Sequence, residues 1–183
     1  MQSLIIQSLP KFDPVNDLNA LEDFLIKNES ETFIDKDKIG VFAVSANTPT
    51  AISKLLATEN NIFRCGAFYY GLILTPNSEY LNQWDSISNE MGFVIPALDE
   101  KTSWNKEIPI MLIMAGMDKF PNLNASMQEF YDVATNENLI IELTNFSSGV
   151  HGFDAFNDND TTRMIIENTL EFWKSNLLNS NSN

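Results

Sequence analysis

The sequence is poor in residue types on which much protein chemistry depends. Its 183 residues include one cysteine, Cys65, and one histidine, His151. A single cysteine excludes an internal disulfide, and one cysteine with one histidine cannot form the Cys/His cages that hold structural zinc. Any mechanism that needs an imidazole must therefore use His151. The apolar run around Cys65 predicts a buried, unreactive thiol.

Positive charge is also scarce, with 11 lysines and arginines against 25 acidic residues and a net charge of −14. Such a chain is repelled by phosphate backbones and anionic lipids, so we expect neither nucleic acid nor a membrane as partner. The sequence contains no apolar run long enough to span a membrane and no basic secretory start, so we expect a cytoplasmic protein. Phosphate-binding glycine motifs are absent too, and no cofactor is expected.

The apolar residues alternate between short strand-like runs and helical spacing. We predict strands at 3–9, 39–44, 65–70, 110–114 and 139–143, and helices at 14–28, 46–58, 123–134 and 166–177. Apolar strands that alternate with helices favour an α/β fold, a mostly parallel sheet with helices on both faces. We expect one domain over 1–178, with an irregular insert or cap region at 76–109 and a disordered tail at 179–183.

Three residues with chemically useful side chains follow predicted strands. Ser45 directly follows the second strand, Asp118 lies just beyond the fourth, and His151 lies in the loop after the fifth. Loops and helix N-termini converge at the carboxyl edge of a parallel sheet, so we expect these side chains to lie close together. A hydroxyl, an imidazole and a carboxylate are the groups of nucleophilic acyl transfer.

The residues around Ser45 are typical of a tight turn between a strand and a helix. Ala43 and Asn47, two residues to either side, are small or compact, as is needed where the two backbones pass closely. Such a turn exposes the serine hydroxyl and directs the amide of Ala46 at the space above it, where a helix N-terminus stabilises an oxyanion. Glycine is commoner than asparagine at the position of Asn47, so packing there has to be checked against the structure.

The sequence resembles the α/β-hydrolase family, and more narrowly its dienelactone-hydrolase-like and serine-esterase-like members. The resemblance is carried by Ile34-Asp35 and Lys38-Ile39-Gly40 before Ser45, by Ala115-Gly116-Met117-Asp118, and by Gly149-Val150-His151-Gly152-Phe153. It implies that Ser45 is a nucleophile, His151 its base, Asp118 the carboxylate that orients His151, and Ala46 an oxyanion-hole donor. Dienelactone hydrolases use cysteine as nucleophile, so serine favours an esterase that forms an acyl-serine intermediate.

The chain departs from the family pattern before the elbow, the turn that carries Ser45. Only the strand at 3–9 and one helix precede the elbow strand, whereas the family has several strands there and takes a second oxyanion-hole donor from a loop after one of them. We therefore expect a chain that lacks the first strands and has an exposed sheet edge, which favours a homo-oligomer. A second hypothesis follows, that of a catalytically weak or inactive remnant that acts as a binding module, and a third is a peptidase of the same superfamily.

Each candidate residue also has a purely structural explanation. A serine after a strand is commonly a helix cap, an aspartate after a glycine commonly closes a turn, and a loop histidine is often a surface group. Asp154, Asp158 and Asp160 are alternatives to Asp118 as the acidic residue, but they follow His151 in the sequence, so Asp118 is preferred. The segment 154–160 also suggests a calcium loop, but it lacks the central glycine and final glutamate of an EF-hand, so no metal is expected.

The insert supplies candidate contacts for a substrate. Its aromatic residues Trp84, Phe93 and Trp104 either line a pocket for the acyl or alcohol part of a substrate or pack the insert against the sheet. The partner that these hypotheses imply is a small-molecule ester.

Overall fold

Four parallel strands form the sheet in this computed structural model, which describes residues 13–58, 61–92 and 94–178. The strands are β1 (Ile39–Val44), β2 (Phe63–Tyr69), β3 (Ile110–Ala115) and β4 (Ile141–Phe146). They lie side by side in the order β1-β2-β3-β4, each parallel to the next. The predicted strand at 3–9 and the predicted tail at 179–183 lie outside the described residues.

The central strands explain the apolar runs of the sequence. Every residue of β3 is buried, and in β2 only Arg64 is exposed. Helices cover both faces of these strands, which confirms the predicted α/β class with a mostly parallel sheet. At the edge of the described sheet, β4 extends beyond the predicted end at Leu143, and Thr144 and Asn145 pair with Ile113 and Met114. Thr144 and Asn145 are exposed because β4 lies at this edge, and exposed positions of a strand can be polar, so the sequence there looks like that of a loop.

Seven α-helices lie in the described part of the chain. They are α1 (Pro14–Lys27), α2 (Glu29–Thr32), α3 (Thr48–Leu56), α4 (Leu81–Met91), α5 (Leu123–Asn136), α6 (Phe153–Phe156) and α7 (Asp160–Leu178). Helix α1 begins where the sequence predicts, because the Asp13 side chain accepts hydrogen bonds from the amides of Val15 and Asn16, and Pro14 takes the first helical position. Within the described ranges, none of these helices is long and apolar enough to cross a membrane.

The helices pack in two layers, one on each face of the sheet. On one face, α3 and α5 bury side chains such as Leu55 and Phe130 in the larger apolar cluster. On the other face, α6 and α7 bury Phe153 and Ile165 against the sheet, next to Tyr69. This two-sided burial fixes the carboxyl ends of the strands, where the candidate residues lie.

The segment 76–109, predicted to be irregular, contains the helix α4. Leu81, Trp84 and Ile87 recur at helical spacing and pack together in a small apolar cluster of their own. The other residues of α4 are mostly polar, and the helix has no side-chain cap at its N-terminus, so the sequence pattern is weak. Its C-terminus is marked by Gly92, whose φ of 74° is left-handed.

Candidate active site

Ser45 lies on a sharp turn at the carboxyl end of β1. Val44 is still extended, whereas Ser45 has a φ of 53°, in the left-handed region that non-glycine residues rarely adopt. A 3₁₀ turn over Ser45–Asn47 then leads directly into α3. Backbone strain of this kind is concentrated at functional sites, and here it turns the serine out of the line of the strand.

Asn47 fits the turn without crowding, because it is exposed and has a helical φ of −84°. The close approach lies instead between Thr48 and Gly71, the second residue after β2. A Cβ atom on Gly71 would lie 2.2 Å from Thr48 Oγ1, so a side chain cannot fit there. The small residues beside Ser45 in the sequence give no indication of this close approach. The signal was a glycine just past a buried strand.

The structure brings together the three residues that follow the strands. His151 Nε2 lies 2.8 Å from Ser45 Oγ, and His151 Nδ1 lies 2.6 Å from Asp118 Oδ2. The second carboxylate oxygen of Asp118 accepts a hydrogen bond of 2.9 Å from the amide of Phe120. The Asp118 side chain is 1% exposed and that of His151 is 24% exposed, so the carboxylate is shielded while water and ligands can reach the imidazole.

The loops that carry Asp118 and His151 are held against each other by their backbones. The amide of Met117 donates a hydrogen bond of 2.8 Å to the carbonyl oxygen of Gly149. The amide of Gly116 donates one of the same length to the carbonyl oxygen of Phe146. A Cβ atom on Gly116 would lie 2.7 Å from both the Cα and the carbonyl oxygen of Ser147. The glycine therefore permits the approach of the two loops on which the contact between carboxylate and imidazole depends.

Two aromatic rings flank the imidazole of His151. The rings of Tyr70 and Phe120 each lie 4.6 Å from it, centroid to centroid. The Tyr70 hydroxyl donates a hydrogen bond of 2.5 Å to Asp154 Oδ1, and burial, with this hydrogen bond second, raises the pKa of Tyr70. Neither ring was predicted from the sequence, because side-chain direction at the end of a strand is not encoded in hydrophobic periodicity.

The competing acidic residues have other partners. Asp154 accepts from Tyr70, while Asp158 and Asp160 both lie within ion-pair distance of Arg163. Of the four acids considered, Asp118 is thus the one in contact with His151. Over residues 13–58, 61–92 and 94–178, no three His, Cys, Asp or Glu side chains are grouped so as to hold a metal ion.

A cavity of about 330 Å³ opens beside Ser45. Apart from Ser45, the described residues that line it have aliphatic or aromatic side chains, and they include Trp84 and Ile87 of α4 and Phe120. Of the three aromatic residues proposed for a pocket, Trp84 is thus beside Ser45. Trp104 is not among the lining residues.

Trp104 packs the insert against the core instead. Its ring lies 5.8 Å from that of Phe130, centroid to centroid, and its Nε1 donates a hydrogen bond of 2.9 Å to the carbonyl oxygen of Asp99. This is the second of the two roles that the sequence left open. The third aromatic candidate, Phe93, lies outside the described residues.

Comparison with known proteins identifies the architecture. No protein-family model matches the chain, and no curated protein matches it in sequence. Its structure is similar to MGS-M1, an α/β-hydrolase enzyme from a Medee basin deep-sea metagenome library, with 17% identity over 90% of this chain and 64% of that one and a TM-score of 0.65. A fungal esterase from Rhizomucor miehei shares 14% identity over 91% of this chain and 60% of its own, with a TM-score of 0.72.

Thermogutta terrifontis esterase 2 phosphonylated by sarin is also similar, with 15% identity over 88% of this chain and 65% of that one and a TM-score of 0.63. The protein therefore has the α/β-hydrolase fold. The chain spans between 60% and 65% of the length of these three structures. A dienelactone-hydrolase-like branch, a shortened start and association through a sheet edge stay predictions.

Proposed function

We propose that the protein is a serine hydrolase that cleaves a carboxylic ester or a related small acyl substrate. The observation that carries the proposal is the hydrogen-bonded chain from Asp118 through His151 to Ser45, located on an α/β-hydrolase fold. The same three groups in the same contacts perform acyl transfer on unrelated folds, so the geometry supports the chemistry independently of sequence identity.

In the proposed reaction, Ser45 Oγ attacks the carbonyl carbon of the ester while His151 Nε2 accepts the hydroxyl proton. Asp118 accepts a hydrogen bond from Nδ1–H, orients the ring and stabilises the imidazolium that forms. The tetrahedral intermediate collapses when His151 returns the proton to the oxygen of the leaving alcohol, which leaves an acyl group on Ser45. A water molecule, deprotonated by the same imidazole, then hydrolyses that acyl-enzyme and restores the serine.

The amide of Ala46 is the proposed donor to the oxyanion of the intermediate. It lies at the start of the turn into α3, and the first amides of a helical segment have no partner within the segment. The positive end of the helix dipole adds to the attraction of negative charge there. Loss of one oxyanion-hole donor typically lowers kcat by roughly 10²- to 10³-fold, so the backbone shape at Ser45 contributes directly to rate.

The ester class is supported by the structures of similar fold, because the Rhizomucor miehei and Thermogutta terrifontis proteins are esterases. The alternative is a catalytically weak or inactive member of the fold that acts as a binding module. The motivation for this alternative is that the chain spans no more than 65% of the length of these similar structures.

Labelling with a fluorophosphonate probe, together with hydrolysis of p-nitrophenyl butyrate, separates these two functions. We expect the wild-type protein to carry the probe on Ser45, and Ser45→Ala to lose both labelling and hydrolysis. The matched control is Ser175→Ala, which removes an exposed serine on α7 and should leave both unchanged. A folded wild-type protein that is not labelled, or hydrolysis that survives Ser45→Ala, would favour the binding module.

A further inference from the structure

The cavity beside Ser45 has the chemistry of a site for a neutral apolar group. None of the described side chains that line it carries a charge, and their polar groups are the Ser45 hydroxyl and the indole N–H of Trp84, which is buried without a hydrogen-bond partner. A charged substituent would lose its hydration there without gaining an opposite charge. Because a water molecule occupies about 30 Å³ in the liquid, a cavity of about 330 Å³ has room for about ten non-hydrogen atoms.

The position of His151 indicates which part of an ester the cavity receives. In the proposed reaction the oxygen of the leaving alcohol must come within hydrogen-bond distance of His151 Nε2 to be protonated. Ser45 and Ala46 line the cavity, but His151 does not. The alcohol therefore lies outside the cavity, on the side of the imidazole, and the acyl group extends from Ser45 into the cavity.

Helix α4 forms one wall of this cavity through Trp84 and Ile87. Both side chains belong to a small apolar cluster that also contains Leu72, Leu74 and Leu123, rather than to the core beneath the sheet. A change in their size therefore alters the cavity without removing a side chain from the central core. Asp85, which lies between them and is exposed to solvent, does not line the cavity.

We infer that this cavity binds the acyl group of a neutral, straight-chain ester, that the preferred acyl group is near octanoyl in size, and that Trp84 and Ile87 limit its length. The inference rests on the proposed function, because the acyl group is placed in the cavity on the ground that the leaving alcohol must receive its proton from His151. It specifies a medium-chain acyl ester as the substrate class.

Two series of esters test the inference. With p-nitrophenyl esters from acetyl to tetradecanoyl, we expect kcat/KM to rise about fourfold for each added methylene up to about octanoyl and then to fall. With acetate esters of alcohols of increasing length, we expect little dependence on length, since the alcohol lies outside. A rate that depends on the length of the alcohol and not on that of the acyl group would overturn the assignment.

Substitutions at one position test the role of the wall in both directions. Ile87→Ala should move the preferred acyl length to longer chains, and Ile87→Phe should move it to shorter ones, while Asp85→Ala on the same helix leaves it unchanged. The same length profile in all three folded variants would overturn the role of α4.

A binding measurement without turnover distinguishes a failure of this inference from a failure of the proposed function. In the Ser45→Ala protein, octan-1-ol serves as a neutral eight-carbon chain that can enter the cavity, and its binding should change the tryptophan fluorescence emission. The change should be absent in the double variant Ser45→Ala, Trp84→Phe. If this occurs but the wild-type protein hydrolyses no ester, the proposed function is wrong and the apolar site stands. If esters are hydrolysed at rates independent of acyl length and octan-1-ol has no effect, the hydrolase stands and the inference is overturned.

Discussion

The ring of Tyr70 lies 4.6 Å, centroid to centroid, from the imidazole of His151. Tyr70 directly follows β2, and its hydroxyl donates to Asp154, three residues beyond His151 in the sequence. The same side chain therefore contacts the imidazole and is hydrogen-bonded to α6, the helix that follows the loop carrying His151. In the proposed reaction this arrangement makes Tyr70 a positioning residue, since it would act through His151.

Tyr70→Phe separates the two contacts, because it keeps the ring and removes the hydroxyl. We expect it to lower the free energy of unfolding by about 1–2 kcal/mol, as for the loss of a hydrogen bond to a half-buried carboxylate, with a small effect on kcat. Tyr70→Leu also removes the aromatic contact and should lower kcat further. Urea unfolding and ester hydrolysis measure the two effects. Equal losses of kcat in both variants would assign the positioning to the hydroxyl rather than to the ring.

The juxtaposition of Ser45, Asp118 and His151 was predictable because it follows from topology. Parallel strands all end at one edge of the sheet, so residues just beyond the strand ends converge there however far apart they lie in the sequence. Hydrophobic periodicity was enough to locate those strand ends to within a few residues. The prediction therefore needed no knowledge of side-chain conformation.

The contacts made by Tyr70, Phe120 and Gly71 were not predictable in this way. They depend on where a loop turns and on which way a side chain points after a strand ends, and neither is periodic in the sequence. Trp84 and Trp104 illustrate the same limit. Both are buried aromatic residues of the insert, and only the position of α4 decides that Trp84 lines the cavity while Trp104 packs against the core.

Asp118→Asn tests the proposed role of the carboxylate. An asparagine can still accept a hydrogen bond from the amide of Phe120, so the turn should keep its shape. It does not, however, hold the imidazole in the tautomer that accepts the serine proton. We expect kcat to fall by roughly 10³- to 10⁴-fold with KM little changed. The matched control is Asp158→Asn, whose carboxylate pairs with Arg163 instead. If the two variants were equally active, the carboxylate beside His151 would have no role in catalysis.

The strained backbone at Ser45 gives a prediction about stability that does not depend on activity. Glycine adopts a φ of 53° without the steric cost that a Cβ atom imposes, whereas alanine retains that cost. Ser45→Gly and Ser45→Ala both remove the hydroxyl and its hydrogen bond to His151, so the comparison isolates the backbone. We expect Ser45→Gly to be more stable than Ser45→Ala by about 1 kcal/mol in urea unfolding. A more stable Ser45→Ala would show that any strain at this turn costs less than the extra backbone entropy that glycine gives the unfolded chain.

Cys65 predicts a loss of stability at alkaline pH. The residue is fully buried in β2, and burial raises the pKa of its thiol from 9.0 to about 11. In the unfolded chain the thiol loses its proton near pH 9, while the folded protein keeps it until about pH 11. Between these values the folded state binds more protons than the unfolded state, so the free energy of unfolding falls as pH rises.

The expected slope for this one proton approaches about 1.4 kcal/mol per pH unit within that window. Burial also raises the pKa values of Tyr69 and Tyr70, so other groups add to the total pH dependence. Cys65→Ala isolates the thiol because it retains both tyrosines. Urea unfolding from pH 8 to pH 11 should therefore show a shallower decline in Cys65→Ala than in the wild-type protein, whatever the offset between the two curves. Parallel curves would mean that the thiol ionises equally easily in the folded and unfolded states, which contradicts its burial.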